Sequence, residues 1–431
     1  MGIASETVLV LNCGGAGAQK VARVLRANHI CAMVAPFGAD LEGRLAADEP
    51  RGIIVCADRI TSAIAERIEA LPKYGLPVMA VGAAAEILPG VSSMMHPDAE
   101  KLTAFCREKC GCSGSWRRER FIADAIEGIR EQVGDEKVLV GLSGGVDSSV
   151  AAALIHRAVG DNLTCVFVDN GLLRKGEAEA VRELFGRTFN MNLKYVDASD
   201  RFLDKLAGVP DPERKRKVIS AEFLAVFSEI AAEVNAPFLG RGTIYSDILE
   251  SVSADGGGTG IKSHHNVGDI PADMRFKLVE PLAKLFKNEV REVGCALGLP
   301  PELLNRHPFP GPSLGVRHVG GIERHTLEML READAIVTGE MLKSGWYGRT
   351  WQTFAVFIPV RTVGVKEQRR SYEYTVAIRS VNSVDNMSAE AVRLPWDLLF
   401  RMADRITAEV EGVNRVVYDI TNKPPATIEW E

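Results

Sequence analysis

Short, unbroken apolar runs separated by segments of helical periodicity open the chain. Thr7-Val8-Leu9-Val10-Leu11, Gly52-Ile53-Ile54-Val55 and Pro77-Val78-Met79-Ala80-Val81 carry no alternation of polar and apolar positions. Runs of that kind predict strands buried on both faces, as in a parallel sheet covered by helices. The pattern repeats after a helical stretch from about Trp116 to Val133. Lys137 to Leu142 predicts a strand, a helix passes through Ala151 to Ile155, and a second strand, Leu163 to Val168, ends at Asp169-Asn170-Gly171. That is a βαβ unit, so a doubly wound parallel sheet is expected. Near residue 311 the texture changes. Ala355 to Val360 and Tyr372 to Arg379 predict longer strands of a mainly antiparallel sheet, and a helix over 395–410 carries the apolar stripe Leu398, Leu399, Met402 and Ile406. The expected class is therefore α/β. A small α/β unit spans 1–110, the doubly wound unit 111–310, and an α+β module of the kind that often dimerises 311–431.

Composition narrows this picture only a little. A chain of 431 residues, 46% apolar and 25% charged, is ordinary for a folded soluble protein of two or three domains. A net charge of -6 gives no reason to expect nucleic acid or an anionic membrane as partner. No run approaches the roughly 20 apolar residues that span a bilayer, and Met1 to Thr7 shows no basic n-region or cleavage pattern. Eight irregularly spaced cysteines fit free thiols in a reducing cytoplasm. Cys106, Cys110 and Cys112 cluster without a nearby fourth ligand, which argues against structural zinc.

The candidate chemistry sits between a strand and a helix, at Ser143-Gly144-Gly145-Val146-Asp147-Ser148-Ser149. Two glycines permit backbone geometry closed to other residues, so successive N–H groups can converge on an anion. The helix that follows adds unsatisfied amides and a positive dipole end. Ser143, Ser148 and Ser149 supply hydroxyls, and Asp147 can cap the helix or reach a metal. A plain strand-to-helix turn needs fewer of these groups, so phosphate binding is the better reading. The Gly-Lys-Ser/Thr ending of a Walker loop is absent.

This turn resembles the pyrophosphate loop of the N-type ATP pyrophosphatases, whose sheet is of the adenine nucleotide α-hydrolase kind. The remaining motifs narrow the resemblance to the GMP synthases. They are Asp169 to Arg174, Gly242 to Tyr245 with Glu250-Ser251, Ile261 to Gly268, Arg306 to Pro312 and Lys423 to Glu431. The resemblance implies ATP-dependent amination of xanthosine monophosphate (XMP) to GMP, releasing AMP and pyrophosphate. ATP and Mg²⁺ are then expected on residues 143–149, with Asp147 as metal ligand. It also implies a mobile lid in which Lys262, His264 and His265 close over the phosphates. Arg317, Gln352, Lys423 and Glu429 fall where the family grips its purine nucleotide, Arg317 and Lys423 as phosphate clamps, Gln352 and Glu429 at the purine edge. A cytoplasmic homodimer is the assembly the resemblance implies.

The first section resembles a class I glutamine amidotransferase, of flavodoxin-like fold, but is short and altered. Gly82 occupies the place of the nucleophilic cysteine, and glycine has nothing to attack with. His96-Pro97-Asp98 looks like the remnant of a His-Pro-Glu motif, close behind Glu86. The expected nitrogen source is free ammonia, or ammonia from a separate glutaminase subunit. Smaller departures are Ser313 and Gly315 for Gly and Ala, Arg241 and Ser246 for Gln and Pro, and Asp269 for Gly. Ser313 adds a hydroxyl where backbone approaches the nucleotide, which leaves the acceptor open between XMP and another purine-like nucleotide, and the amine open likewise. A regulator that binds nucleotide without catalysis is the remaining reading.

Overall fold

The computed structural model describes residues 6–15, 17–38, 41–88, 91–254, 276–366, 368–383 and 388–431. The first sheet is built from β1 (Thr7–Asn12), β2 (Cys31–Pro36), β3 (Gly52–Ala57), β4 (Val78–Gly82) and β5 (Ser92–Met94). These run parallel in the order β2-β1-β3-β4-β5, the doubly wound order of flavodoxin-like folds. Side chains alternate across it, which is why its inner strands β1, β3 and β4 are apolar on both faces. Val8, Val10, Ile54, Met79 and Val81 pack with Val21 and Leu25 of the helix Gly17–Ala27 on one face. Leu9, Leu11, Ile53, Val55 and Ala80 pack with Ile68 and Leu71 on the other.

The second sheet contains β6 (Val138–Leu142), β7 (Leu163–Asp169), β8 (Asn192–Asp197), β9 (Phe238–Gly240) and β10 (Lys277–Val279), all parallel, in the order β10-β9-β6-β7-β8. Helices Arg118–Val133, Val146–Val159 and Lys287–Ala296 cover one face, and Pro212–Val234 covers the other. The winding reverses at β6, whose neighbours are β7 on one side and β9 on the other. At such a point the loops leaving the carboxyl ends part and open a crevice, where doubly wound sheets seat ligands.

The third sheet pairs β11 (Gln352–Lys366) with β12 (Arg369–Asn382) antiparallel, with an irregularity between Ile358 and Arg361. The short β13 (Glu390–Ala391) is antiparallel to β12, and β14 (Val413–Asp419) pairs with β12 in parallel, one exception to the antiparallel pattern expected. Helices Arg324–Lys343 and Trp396–Glu409 pack on one face through Leu330, Val337, Leu398, Met402 and Ile406.

One buried cation joins the first block to the second. Arg26, 5% exposed, donates to the carbonyl oxygens of Ala32 (2.9 Å) and Lys284 (2.6 Å) and pairs with Glu289 at 2.8 Å. Its guanidinium lies 4.8 Å from the ring centroids of both Trp116 and Phe286. Beside it the Tyr245 hydroxyl donates to the Val34 carbonyl at 2.6 Å. Among the described residues no helix is long and apolar enough to cross a membrane.

Candidate nucleotide site

The turn at Ser143 leaves the carboxyl end of β6 at the reversal point. Gly144 has φ +71°, in the left-handed region that side chains disfavour, and Gly145 caps the helix Val146–Val159. The first amides of that helix have no partner within it, so they face the turn as donors. The Ser143 and Ser148 hydroxyls lie 3.0 Å apart, and the Gly145 N–H donates to Ser143 Oγ at 3.3 Å. Ser149 is different. It is fully buried and donates back to the Gly145 carbonyl at 2.6 Å, so it shapes the turn from behind.

The loop after β9 closes the other side. A Cβ on Gly242 would stand 2.8 Å from both the Asp147 carbonyl carbon and the Ser148 amide nitrogen, so only glycine permits this backbone-to-backbone approach. Two cations that the sequence does not assign to the turn, Lys287 and Arg306 of the Arg306 to Pro312 motif, complete the rim. Lys287 Nζ contacts both carboxylate oxygens of Asp147 at 2.7 Å. Arg306 donates to the Gly144 carbonyl and pairs with Glu177. Lys287 had a legible signal. It opens the helix Lys287–Ala296, where a positive charge opposes the dipole unless an anion compensates it.

Asp147 is part exposed, at the helix start, beside the Ser143–Ser148 hydroxyl pair. Mg²⁺ at phosphate sites is commonly held by one or two carboxylates, with phosphate and water oxygens completing its shell. One accessible carboxylate at this place fits that requirement, with Lys287 sharing it or giving way. Among the described residues no group of three or more His, Cys, Asp or Glu is placed to hold a metal by itself. Lys262, His264 and His265, expected to form a lid, lie outside the described residues.

Three of the nominated purine-nucleotide residues form one cluster. Arg317 makes a two-pronged pair with Glu429, both contacts at 2.9 Å, and Gln352 Nε2 donates to Glu429 at 2.9 Å and to the Pro308 carbonyl at 2.8 Å. Arg317 is 0% exposed and packed against Phe354, 3.9 Å from the ring centroid. In this arrangement its charge grips Glu429 and is closed to a phosphate. Arg174, the end of the Asp169 to Arg174 motif, lies 3.4 Å from Asp334 and 4.4 Å over the Phe309 ring. Burial pulls it below the usual guanidinium range, against the opposing pull of Asp334. The backbone of Lys423 pairs with Ala389 at 2.8 and 3.0 Å. Ala389 lines a cavity of about 660 Å³ whose wall also includes Arg291, Arg306, Pro308, Arg349 and Trp351. Arg306 thus borders both the phosphate turn and this cavity.

In the first sheet, Gly82 ends β4 at φ +71°, ψ -143°. A Cβ there would come within 2.5 Å of the Ala57 carbonyl oxygen. His96 is exposed, and Asp98 caps the helix Ala99–Ala104 by accepting from the Lys101 N–H at 2.9 Å. Cys106, Cys110 and Cys112 are buried in the core of this block.

Comparison with known proteins gives matches along most of the chain. A family model described as NAD synthase matches residues 118–203, and one described as the GMP synthase C terminal domain matches residues 339–430. A glutamine-hydrolyzing GMP synthase of Carboxydothermus hydrogenoformans is 57% identical over 333 residues, 77% of this chain and 65% of the relative. That of Geobacillus kaustophilus is 56% identical over 331 residues, 77% of this chain and 64% of the relative. The chain thus spans just under two thirds of these relatives. That of Bacillus cereus strain B4264 is 48% identical over 420 residues, 95% of this chain and 81% of the relative. With nearly half the residues shared along almost its whole length, the chain belongs to the GMP synthase family.

Proposed function

We propose that this chain aminates XMP to GMP at the expense of ATP, releasing AMP and pyrophosphate, and takes its ammonia from solution or from a separate glutaminase subunit. The observation that carries the reading is the turn at Ser143, where helix-start amides, the Ser143–Ser148 hydroxyl pair, Lys287 and Arg306 converge at the carboxyl end of β6.

The XMP C2 oxygen attacks the α-phosphorus of ATP. The bond to the β-phosphate oxygen breaks and pyrophosphate departs. Residues 143–149 hold that leaving group, their amides and hydroxyls taking up the charge that grows on it. Lys287 adds a cation at the same place. Mg²⁺, with Asp147 as its protein ligand, would neutralise phosphate charge. Ammonia then adds at C2, AMP leaves with the former C2 oxygen, and the surplus proton passes to solvent. Adenylation is needed because oxygen on a purine ring is a poor leaving group and a phosphate ester is a good one. Lys262, His264 and His265 are proposed to close over the phosphates. The acceptor is assigned to the cavity bordered by Arg306, with Lys423 beside its wall and Gln352 and Glu429 behind it.

The nitrogen source follows from Gly82, which offers no nucleophile where a glutaminase needs one. We assign 1–110 to a degenerate amidotransferase-like domain, 111–310 to the synthetase and 311–431 to dimerisation and nucleotide binding, in a cytoplasmic homodimer. Exposed Val363, Val365 and Tyr372 on the β11–β12 hairpin support a contact between subunits there. A panel of purine nucleotides, each given ammonium, ATP and Mg²⁺ and scored by pyrophosphate release, tests the acceptor. XMP is expected to lead. Preference for another nucleotide would overturn that assignment, and no pyrophosphate with any of them would overturn the reaction.

A further inference from the structure

Ser313 holds a backbone conformation that serine rarely adopts. Its φ is +56°, left-handed, in the turn Pro310-Gly311-Pro312-Ser313-Leu314-Gly315. A side chain there crowds the following carbonyl, so some compensating contact must hold it. The contact is inside the protein. Ser313 is 4% exposed, and its Oγ accepts from Asn170 Nδ2 at 3.3 Å. Asn170, 2% exposed, in turn accepts from the Leu172 N–H at 2.9 Å, and the Leu314 N–H donates to the Leu172 carbonyl at 2.9 Å. The turn is therefore stitched twice to the segment leaving β7, the strand beside the one that delivers the phosphate turn.

The hydroxyl is turned inward onto Asn170, so it acts as a strut between two loops. The neighbouring position limits the turn from the other side. A Cβ at Gly315 would stand 2.9 Å from Ile219 Cδ1 and 3.4 Å from Leu172 Cδ1, so the turn is packed tightly where it lacks a side chain and tethered where it has one. Arg317, which grips Glu429, follows two residues later.

We propose that Ser313 is a positioning residue: its buried bond to Asn170 fixes the 310–317 turn, and with it the acceptor-side cluster of Arg317, Gln352 and Glu429, against the strand end of the ATP site. This rests on the acceptor reading given above. The test replaces Ser313 by Gly and by Ala in the full chain and follows melting, amide exchange over 310–317, and KM for acceptor and ATP separately. Glycine is at ease at this φ and alanine is not, so Ser313→Gly should melt above Ser313→Ala, the reverse of their usual order. Both lack the bond, so both should exchange faster over 310–317 and raise the acceptor KM about three- to tenfold, with the ATP KM within about twofold. Alanine melting above glycine, unchanged exchange, or the two KM values rising together would each overturn the proposal. An unaltered chain inactive with XMP would defeat the acceptor reading, while melting order and exchange would still decide the role of Ser313.

Discussion

Replacing Arg26 by methionine removes the cation that joins the altered first block to the synthetase block. Its side chain is 2% exposed and that of Glu289 12%, so the pair is largely out of water. Glu289 also accepts from the Phe286 N–H at 2.8 Å, capping the helix Lys287–Ala296, and from Trp116 Nε1 at 2.7 Å. Those two bonds keep the carboxylate in place when its cation is lost. Removing one partner of a buried pair costs about 3–5 kcal/mol, because the other charge is left uncompensated. At roughly 2–4 °C per kcal/mol for units of this size, the midpoint should fall by about 6–20 °C. Neutralising both ends, as Arg26→Met with Glu289→Gln, leaves no stranded charge. The double change should therefore cost less than the sum of the two single changes, by about 1 kcal/mol or more. Thermal or urea unfolding of the four proteins measures this directly. A single variant within about 2 °C of the parent, or strict additivity, would show that the pair contributes nothing and that the blocks are held by apolar packing alone.

Two further outcomes follow from Gly82 and His318. Gly82→Cys restores the residue type of a glutaminase nucleophile, but its Cβ would meet the Ala57 carbonyl oxygen at 2.5 Å and its φ is +71°. The variant should lose about 1–3 kcal/mol of stability and release no glutamate from glutamine; measurable glutaminase activity would contradict this geometry. Burial, with help from the Lys215 charge, pushes His318 down to about 4, and its ring stacks on Phe357 with Nε2 2.7 Å from Thr326 Oγ1. Its folded value lies below the unfolded one of about 6.5, so the unfolded chain binds the extra proton. Stability from this group is therefore present above about pH 6.5 and lost as pH falls toward 4, at up to about 1.4 kcal/mol per pH unit. His318→Gln should flatten that part of the acid limb in a series of pH-dependent melts, and an unchanged slope would sink the assignment.

The strands were legible where burial on both faces left no polar residue in the run, as at β1, β3, β4, β6 and β7. β5 was not, because Ser92 and Ser93 are exposed at the edge of the sheet. The phosphate turn could be read from its own residues, since glycines, hydroxyls and a helix start are local features. Lys287 and Arg306 were not read as part of it. They reach the turn from positions 140 and 162 residues away, and no local pattern encodes that meeting. Arg317 was expected to clamp a phosphate, yet it is fully buried against Glu429. Sequence shows a charge but not its partner, and here both members of the pair were nominated without being joined.

The central claim is that the Ser143 turn holds the leaving pyrophosphate of ATP in a chain unable to make its own ammonia. It is tested most directly by incubating the full chain with XMP, ATP and Mg²⁺, giving ammonium in one arm and glutamine in the other, and following all phosphorus-containing products. The account predicts GMP, AMP and pyrophosphate in equal amounts with ammonium, and no GMP with glutamine. ADP and inorganic phosphate as the products, or glutamine serving as well as ammonium, would contradict it.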